Sequence, residues 1–324
     1  MKITLPIRGP EKDYLYNEYE RFLKDVLKYQ DNKNLLQLID SRNDYKSIES
    51  IEFKILEGHQ NDNSEPPSIT TIKLTHSFFH TEFITEFIEI SLNLIKEDEV
   101  IKTAFCEIII NDILQRLCLL VNLSYAAKVD FLPGVIYSNK NKYVGKTLVL
   151  LNTLDFAYEH SNKIGWPILK GIKIEKTIEW FVKNKIHTDE TSRNKTHRAI
   201  NAFSYLFNNI GEKDTSILFW TMLGIESILA KGNNNITNQI KTKSSLILGE
   251  PKEYKKKLNK LYDYRSRLIH GDINFPPKFS SDYELFEVEY WDYLAFATSI
   301  LLAIIRDMIE KGIVEYKFNY ILET

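Results

Sequence analysis

The sequence predicts an α+β N-terminal domain followed by an all-α helical bundle. Alternating apolar and polar residues, which are typical of β-strands, occur before residue 190, whereas helical spacing of apolar residues dominates after residue 195. Between the two patterns lies the polar stretch HTDETSRNK, residues 187–195, which contains no apolar anchor. We therefore predict an α+β domain over residues 1–190 and a helical bundle over residues 191–324.

The strand pattern of the first domain is clearest at residues 88–94, where Ile88, Ile90 and Leu92 alternate with polar residues. Further strands are expected near residues 51–55, 72–74 and 143–151. Helices are expected within residues 11–40, at residues 98–122 and in a short segment ending near Lys185. The segment HQNDNSEPPS, residues 59–68, has the composition of a loop.

In the second domain, amphipathic helices are expected at about residues 195–210, 214–231, 235–248, 251–270 and 287–311. Short connections between such helices favour an antiparallel bundle. The middle of the last helix, residues 294–305, is apolar on nearly all sides. This predicts either the centre of the bundle or a dimer face.

Composition points to a soluble protein of the cytoplasm. The two cysteines, Cys106 and Cys118, lie on one predicted helix about 18 Å apart, which is too far for a disulfide and indicates free thiols in a reducing compartment. The N-terminal residues contain no apolar leader segment, and residues 294–305 are too short to cross about 30 Å of hydrocarbon. The net charge of −2 excludes a globally basic nucleic-acid binder, so that function requires a local patch.

Such a basic patch occurs on the fourth predicted helix of the bundle. Between Lys252 and His270 there are seven lysines and arginines against two acids, a local net charge of +5. This concentration of charge suits a polyanion, although a lysine run is also typical of a solvated helix face.

The end of this helix carries a more specific pattern. Leu258, Leu261 and Leu268 share a helical spacing with Arg265, so the guanidinium is expected on or beside the packed stripe, where it needs an acceptor or a partner surface. Arg265 and His270 are five residues apart, about 140° around an ideal helix. For the two groups to meet, either the helix frays before Gly271 or the groups converge across a dimer axis.

Three further residues belong to this pattern. Ser266 and His270 are four residues apart, so the hydroxyl is in reach of the imidazole. Glu226, on the second predicted helix, shares a face with Phe219 and Leu223 and is therefore expected to point inward. It either orients Arg265 or a tyrosine of the motif, or forms a structural ion pair inside the bundle.

The stretch YDYRSRLIHG, Tyr262 to Gly271, resembles the Arg-x4-6-His motif of HEPN domains, in particular the Apea-like HEPN branch. HRAINAFSYL, residues 197–206, and FWTMLGIESILAKG, residues 219–232, are similar to the first two helices of that branch in pattern and placement. The resemblance covers roughly residues 190–311 and implies a HEPN-like fold for the bundle.

The resemblance implies a metal-independent endoribonuclease that works as a homodimer through its C-terminal bundle, as a toxin or an antiviral defence effector. It also leaves open a non-catalytic module for RNA binding or dimerisation. We expect RNA as partner, no cofactor and no metal. The candidate site residues are Arg265 and His270 as catalytic groups, Ser266, Glu226, Tyr262 and Tyr264 as supporting groups, and Arg267, Lys256 and Lys260 as RNA-binding groups.

Overall fold

The computed structural model describes residues 2–9, 15–26, 28, 35, 48–57, 86–94, 104–138, 143–187, 190–207, 216–232, 234–249, 254–274 and 288–318. The strands are β1 Lys2–Arg8, β2 Ile48–Glu57, β3 Glu86–Leu94, β4 Asp130–Phe131, β5 Val135–Tyr137 and β6 Tyr143–Lys146. The helices are α1 Tyr16–Val26, α2 Ala104–Ser124, α3 Leu154–Ile164, α4 Ile174–Lys183, α5 Lys195–Ser204, α6 Ser216–Leu229, α7 Ile236–Leu248, α8 Tyr254–His270 and α9 Val288–Lys311.

The chain forms two compact units whose segments interleave along the sequence. The first unit consists of Met1–Asn152, Lys173–His187 and Phe207–Ile210, and the second contains Thr153–Ile172, Thr188–Leu206 and Gly211–Thr324. Helix α3 therefore belongs to the second unit and α4 to the first. The assignment of domains to residues 1–190 and 191–324 stays a prediction.

The first unit is built on an antiparallel sheet in the order β2-β3-β1-β5-β6, with β4 also paired to β1. The alternation of apolar and polar residues places one face of each strand in the core, because successive side chains of a strand point to opposite faces. Ile3, Leu5 and Ile7 of β1 and Ile88 and Ile90 of β3 are all buried.

A buried polar network fixes the chain where α2 ends. The side-chain amide of Asn122 donates to the carbonyl oxygen of Val129 at 2.8 Å, and its oxygen accepts from the Val129 amide at 3.0 Å. Asp130, which is fully buried, accepts from the Asn152 backbone amide at 3.0 Å and lies 3.4 Å from the Lys128 ammonium. These contacts satisfy polar groups that would otherwise be costly to bury.

The second unit is helical, and α9 lies at its centre. Helices α3, α6 and α7 pack against α9, α5 packs against α6, and α8 packs against α7. Residues 293–306 of α9 are all buried within this unit. Of the two predictions for residues 294–305, the bundle centre is therefore correct and the exposed dimer face is wrong.

By length and composition alone α9 is apolar enough to cross a membrane, yet most of its apolar stretch is buried in the second unit. The core helix of a soluble protein has the same properties. The cytoplasmic location stays a prediction.

The coarse prediction of an N-terminal sheet followed by helices is confirmed, and the five bundle helices appear as α5 to α9. The predicted strand at 143–151 is a strand only over Tyr143–Lys146. The predicted strand at 72–74 and the loop at 59–68 lie outside the described residues.

Strand β1 was missed because Pro6 argues against a strand interior. Pro6 lies opposite Phe87 of β3 and has no register partner in β4 or β5. The missing amide of the proline therefore costs no bond to β4 or β5.

We predict that Gly224→Ala destabilises the second unit by about 1–3 kcal/mol, because extra volume in a packed core is costly. A Cβ atom at Gly224 would lie 2.8 Å from Leu301 Cδ2, at the contact between α6 and α9. Urea unfolding of the single and double variants measures this cost. In a Leu301→Ala background the cost should largely disappear, since the clashing atoms are gone. Equal costs in both backgrounds would show that this contact is not the limiting one.

Candidate nucleic-acid interface

Helix α8 carries eight of the nine residues predicted for the site, and it is regular to its end. The helix continues through His270 and stops at Gly271, which has a φ of +84°. The Asp272 amide donates back to the Arg267 carbonyl oxygen at 2.8 Å, as expected where a glycine ends a helix in the left-handed region. The expectation that the helix frays before Gly271 is therefore wrong.

Arg265 contacts Glu226, and Glu226 in turn contacts Tyr262. The Nη2 atom of Arg265 lies 3.6 Å from Glu226 Oε1, and the Tyr262 hydroxyl donates to the same carboxylate oxygen at 3.3 Å. The Arg265 side chain is 25% exposed, so the guanidinium lies beside the packed stripe and reaches solvent. Its Nε atom is buried and has no hydrogen-bond partner among the described residues.

The contact with Glu226 also affects Tyr262. Burial and the negative charge of Glu226 raise the pKa of the Tyr262 hydroxyl far above its usual range, with the Arg265 charge opposing the shift. The tyrosine therefore stays protonated and donates to Glu226. The Glu226 carboxylate thus contacts both the Arg265 guanidinium and the Tyr262 hydroxyl, and these contacts fix the direction of the guanidinium.

Glu226 does not point into the core. Its face of α6, with Phe219 and Leu223, is the partly exposed one: Phe219 is 38% exposed and the Glu226 side chain is 16% exposed. The buried face of α6 instead includes Leu218, Met222 and Ile225. The expected inward direction is wrong, because a helix that is apolar on nearly all sides gives no clear inner face.

Tyr264 takes no part in the Glu226 cluster. Its side chain is buried, and its ring centroid lies 5.0 Å from that of Tyr293 on α9. Of the two tyrosines predicted to support the site, Tyr262 contacts Glu226 and Tyr264 packs against Tyr293.

The remaining predicted residues lie on the opposite side of α8. Lys256, Lys260, Arg267 and His270 are all exposed, and on an ideal helix they fall within about 80° of arc. We call these four residues the basic stripe. Arg265 lies about 140° or more from each of them. Ser266 is also exposed, and no hydrogen bond joins it to His270 in the described part of the chain.

At its N-terminal end α8 borders a cleft of about 530 Å³, formed within the second unit. Lys256, Lys257 and Lys260 form one wall, and the rings of Trp166, Tyr254 and Phe296 line the base. The wall therefore contains two of the three residues predicted to bind RNA.

A buried histidine lies beside this cleft. His160, 6% exposed, has its Nε2 atom 3.4 Å from Lys257 Nζ and its Nδ1 atom 3.5 Å from Asp292. Burial, followed by the charge of Lys257, lowers the pKa of His160 to about 4, while Asp292 opposes and Lys163 adds to the shift. The imidazole is therefore neutral at physiological pH.

Sequence analysis missed His160, Lys257 and Asp292 as a group. They come from α3, α8 and α9, and 97 residues separate His160 from Lys257. No short motif covers such a distance, and only the amphipathic spacing of α3 would have placed His160 on a buried face.

Comparisons with protein-family models, with curated proteins and with solved structures gave no match.

We predict that the His160 environment makes folding sensitive to acid. Between about pH 6.5 and pH 4 the unfolded chain binds a proton that folded His160 does not, so stability falls as pH falls, by up to about 3 kcal/mol. Urea unfolding between about pH 7.5 and 4.5 measures this loss.

His160→Gln should lose less stability than the natural chain across this pH range. Asn162→Gln, a change without a titratable group on the same helix, serves as the matched control and should keep the natural pH dependence. Parallel losses in the natural chain and in His160→Gln would refute the assignment.

Proposed function

We propose that the helical unit is a HEPN-type endoribonuclease that cleaves RNA without a metal, using Arg265 and His270, and that it serves as a toxin or antiviral defence effector. The observation that supports this most is the arrangement of α8. Arg265 is oriented by Glu226 yet reaches solvent, and His270 is exposed at the end of the same helix. Both groups are accessible to a large substrate.

The residue types suit cleavage of RNA by its own 2′-hydroxyl. One imidazole accepts the proton of the 2′-hydroxyl as that oxygen attacks the phosphorus, and a second imidazole, protonated, gives its proton to the leaving 5′-oxygen. The bond from phosphorus to the 5′-oxygen breaks, leaving a 2′,3′-cyclic phosphate and a 5′-hydroxyl. A guanidinium stabilises the charge on the phosphate oxygens, and its planar fork suits two of them at once.

This chemistry requires two chains. Within one chain, Arg265 and His270 lie about 140° apart around α8 and about 7.5 Å apart along it, so they do not face one phosphate together. A two-fold axis would bring the Arg265 of one chain towards the His270 of the other. It would also place two imidazoles at one shared site between the chains. We therefore propose a homodimer through the C-terminal unit.

The alternative is a non-catalytic module that binds RNA or dimerises. The regular helix favours it, because the basic stripe carries His270 on the side of α8 away from Arg265. In that case the stripe contacts phosphates, and Arg265 with Glu226 is a structural pair. The two functions differ in whether RNA is cut or only bound.

We predict chelator-resistant cleavage of mixed RNAs by the purified protein. His270→Ala and Arg265→Ala should each lower the rate about a hundredfold or more, the usual effect of losing an acid–base group or a charge partner of the transition state. Product length on gels, with EDTA present, measures the rate. Lys255→Ala, which removes an exposed charge from the same helix, is the control and should cleave normally. Binding without cleavage in every variant would favour the module.

We also predict that a chain with His270→Ala inactivates the natural chain with which it forms a dimer. If both imidazoles of a dimer are needed, an equal mixture of natural and His270→Ala chains, after subunit exchange, keeps about one quarter of the activity, because only a quarter of the dimers carry two natural chains. If each chain works alone, about one half remains. The activity of co-purified mixtures separates the two outcomes, and one half would disprove the shared site.

A further inference from the structure

The cleft at the N-terminal end of α8 has the size and lining of a small-molecule site. Its volume of about 530 Å³ lies within the range of ligand pockets, which bind compounds of nucleotide size. The cleft is lined by Ile164 and Trp166, by residues in the first two turns of α8 and by residues in the first turns of α9. All of them belong to the second unit. The site therefore needs no second chain.

Two cations at the cleft are available to a ligand. Lys257 is neutralised, because its ammonium lies 2.9 Å from both carboxylate oxygens of Asp292. Lys256 and Lys260 are exposed and have no ion pair with any described residue. They are four residues apart on one helix, which puts their Cβ atoms about 5–6 Å from each other. Two ammonium groups at this spacing suit the oxygens of a phosphate.

The base of the cleft is apolar although its side chains carry polar atoms. Trp166 packs against Tyr254 with a centroid distance of 4.5 Å. The Trp166 indole nitrogen donates to the carbonyl oxygens of Leu248 and Gly249, and the Tyr254 hydroxyl bonds to Ser244. These rings are themselves almost fully buried, with Trp166 5%, Tyr254 2% and Phe296 1% exposed, so the exposed apolar side chain of the lining is Ile164, at 42%. Such a surface suits an uncharged planar ring.

Two carboxylates of α9 also line the cleft and can accept hydrogen bonds. Asp292 is half exposed although it pairs with Lys257, and one oxygen of Glu289 accepts from the Tyr293 hydroxyl at 3.1 Å. The charge of Glu289 would repel a simple anion, whereas amino and hydroxyl groups would donate to either carboxylate. The ligand must therefore combine a negative group, an apolar ring and donors.

We infer that this cleft binds a nucleoside phosphate, with the phosphate on Lys256 and Lys260 and the base against Ile164. Carboxylates Glu289 and Asp292 accept from amino or sugar hydroxyl groups. The nucleotide is either free or the terminal nucleotide of an RNA strand, since both present the same groups. The inference does not rest on the proposed cleavage, because neither Arg265 nor His270 lines the cleft.

Titration of the full chain with ATP, AMP, adenosine, inorganic phosphate and a short oligoribonucleotide tests this site by calorimetry. AMP or ATP should bind at least about tenfold more tightly than adenosine or phosphate alone, since each of those lacks one half of the recognised groups. Lys256→Ala/Lys260→Ala should weaken binding about tenfold or more. Lys231→Ala/Lys255→Ala, which removes two exposed charges outside the cleft, should stay within about twofold.

A further variant distinguishes the cleft from the general charge of α8. Ile164 is partly exposed at the edge of the cleft, so Ile164→Glu adds a negative charge there with little effect on the fold, which circular dichroism and thermal unfolding confirm. It should abolish binding of the nucleotide. AMP and ATP contain no linkage between nucleotides that could be cleaved, so their binding is measured independently of the proposed cleavage.

Two outcomes support the inference. If AMP or ATP binds, and both Lys256→Ala/Lys260→Ala and Ile164→Glu weaken that binding, the ligand is a free nucleotide. Binding of the oligoribonucleotide alone, with the same sensitivity, identifies the end of an RNA strand. No binding of any probe up to millimolar concentration, or equal affinity in the cleft variants and the control, overturns the inference.

Discussion

The period of the α-helix is the constraint on which the arrangement of the candidate site depends. Each residue advances about 100°, so an unbroken helix from Tyr254 to His270 fixes which of its side chains meet. Leucines 258 and 261 pack inward, Arg265 lies beside them, and the basic stripe lies on the far side. Because the helix keeps its geometry to the end, the arginine and histidine of the motif belong to two different surfaces of one chain.

Carboxylates on neighbouring helices pair with some of the basic residues of α8, and the others remain available to bind an anion. Glu226 on α6 takes Arg265, and Asp292 on α9 takes Lys257. Exposed pairs contribute little to stability, but a partly buried carboxylate fixes the direction of the group it holds. On α8, Lys256, Lys260 and Arg267 have no such carboxylate partner among the described residues. An electrostatic surface thus exists on a protein whose net charge is −2.

The sequence predicted helices α5 to α9 of the second unit closely, because amphipathic helices repeat their apolar residues along the chain itself, but α3 was not predicted. It also predicted Arg265 beside the packed stripe, since three leucines define that stripe within a few turns. The predicted direction of Glu226 was wrong, because α6 is apolar on nearly all sides. Strand β1, which contains Pro6, was not predicted. The group around His160 was beyond prediction, because it depends on contacts between distant segments.

Under the proposed function, the two surfaces of α8 would have two separate tasks in handling RNA. Contacts to phosphate position a strand, whereas chemistry needs a few groups in fixed directions. The basic stripe extends about 21 Å from Lys256 to His270, so a strand whose end occupied the cleft would follow it towards His270. The arginine held by Glu226 faces the other way, so under the proposed function it would act only together with a second chain. Both chains of the proposed dimer would then contribute to one site, with two histidines for proton transfer and an arginine for the phosphate, and cleavage would depend on assembly.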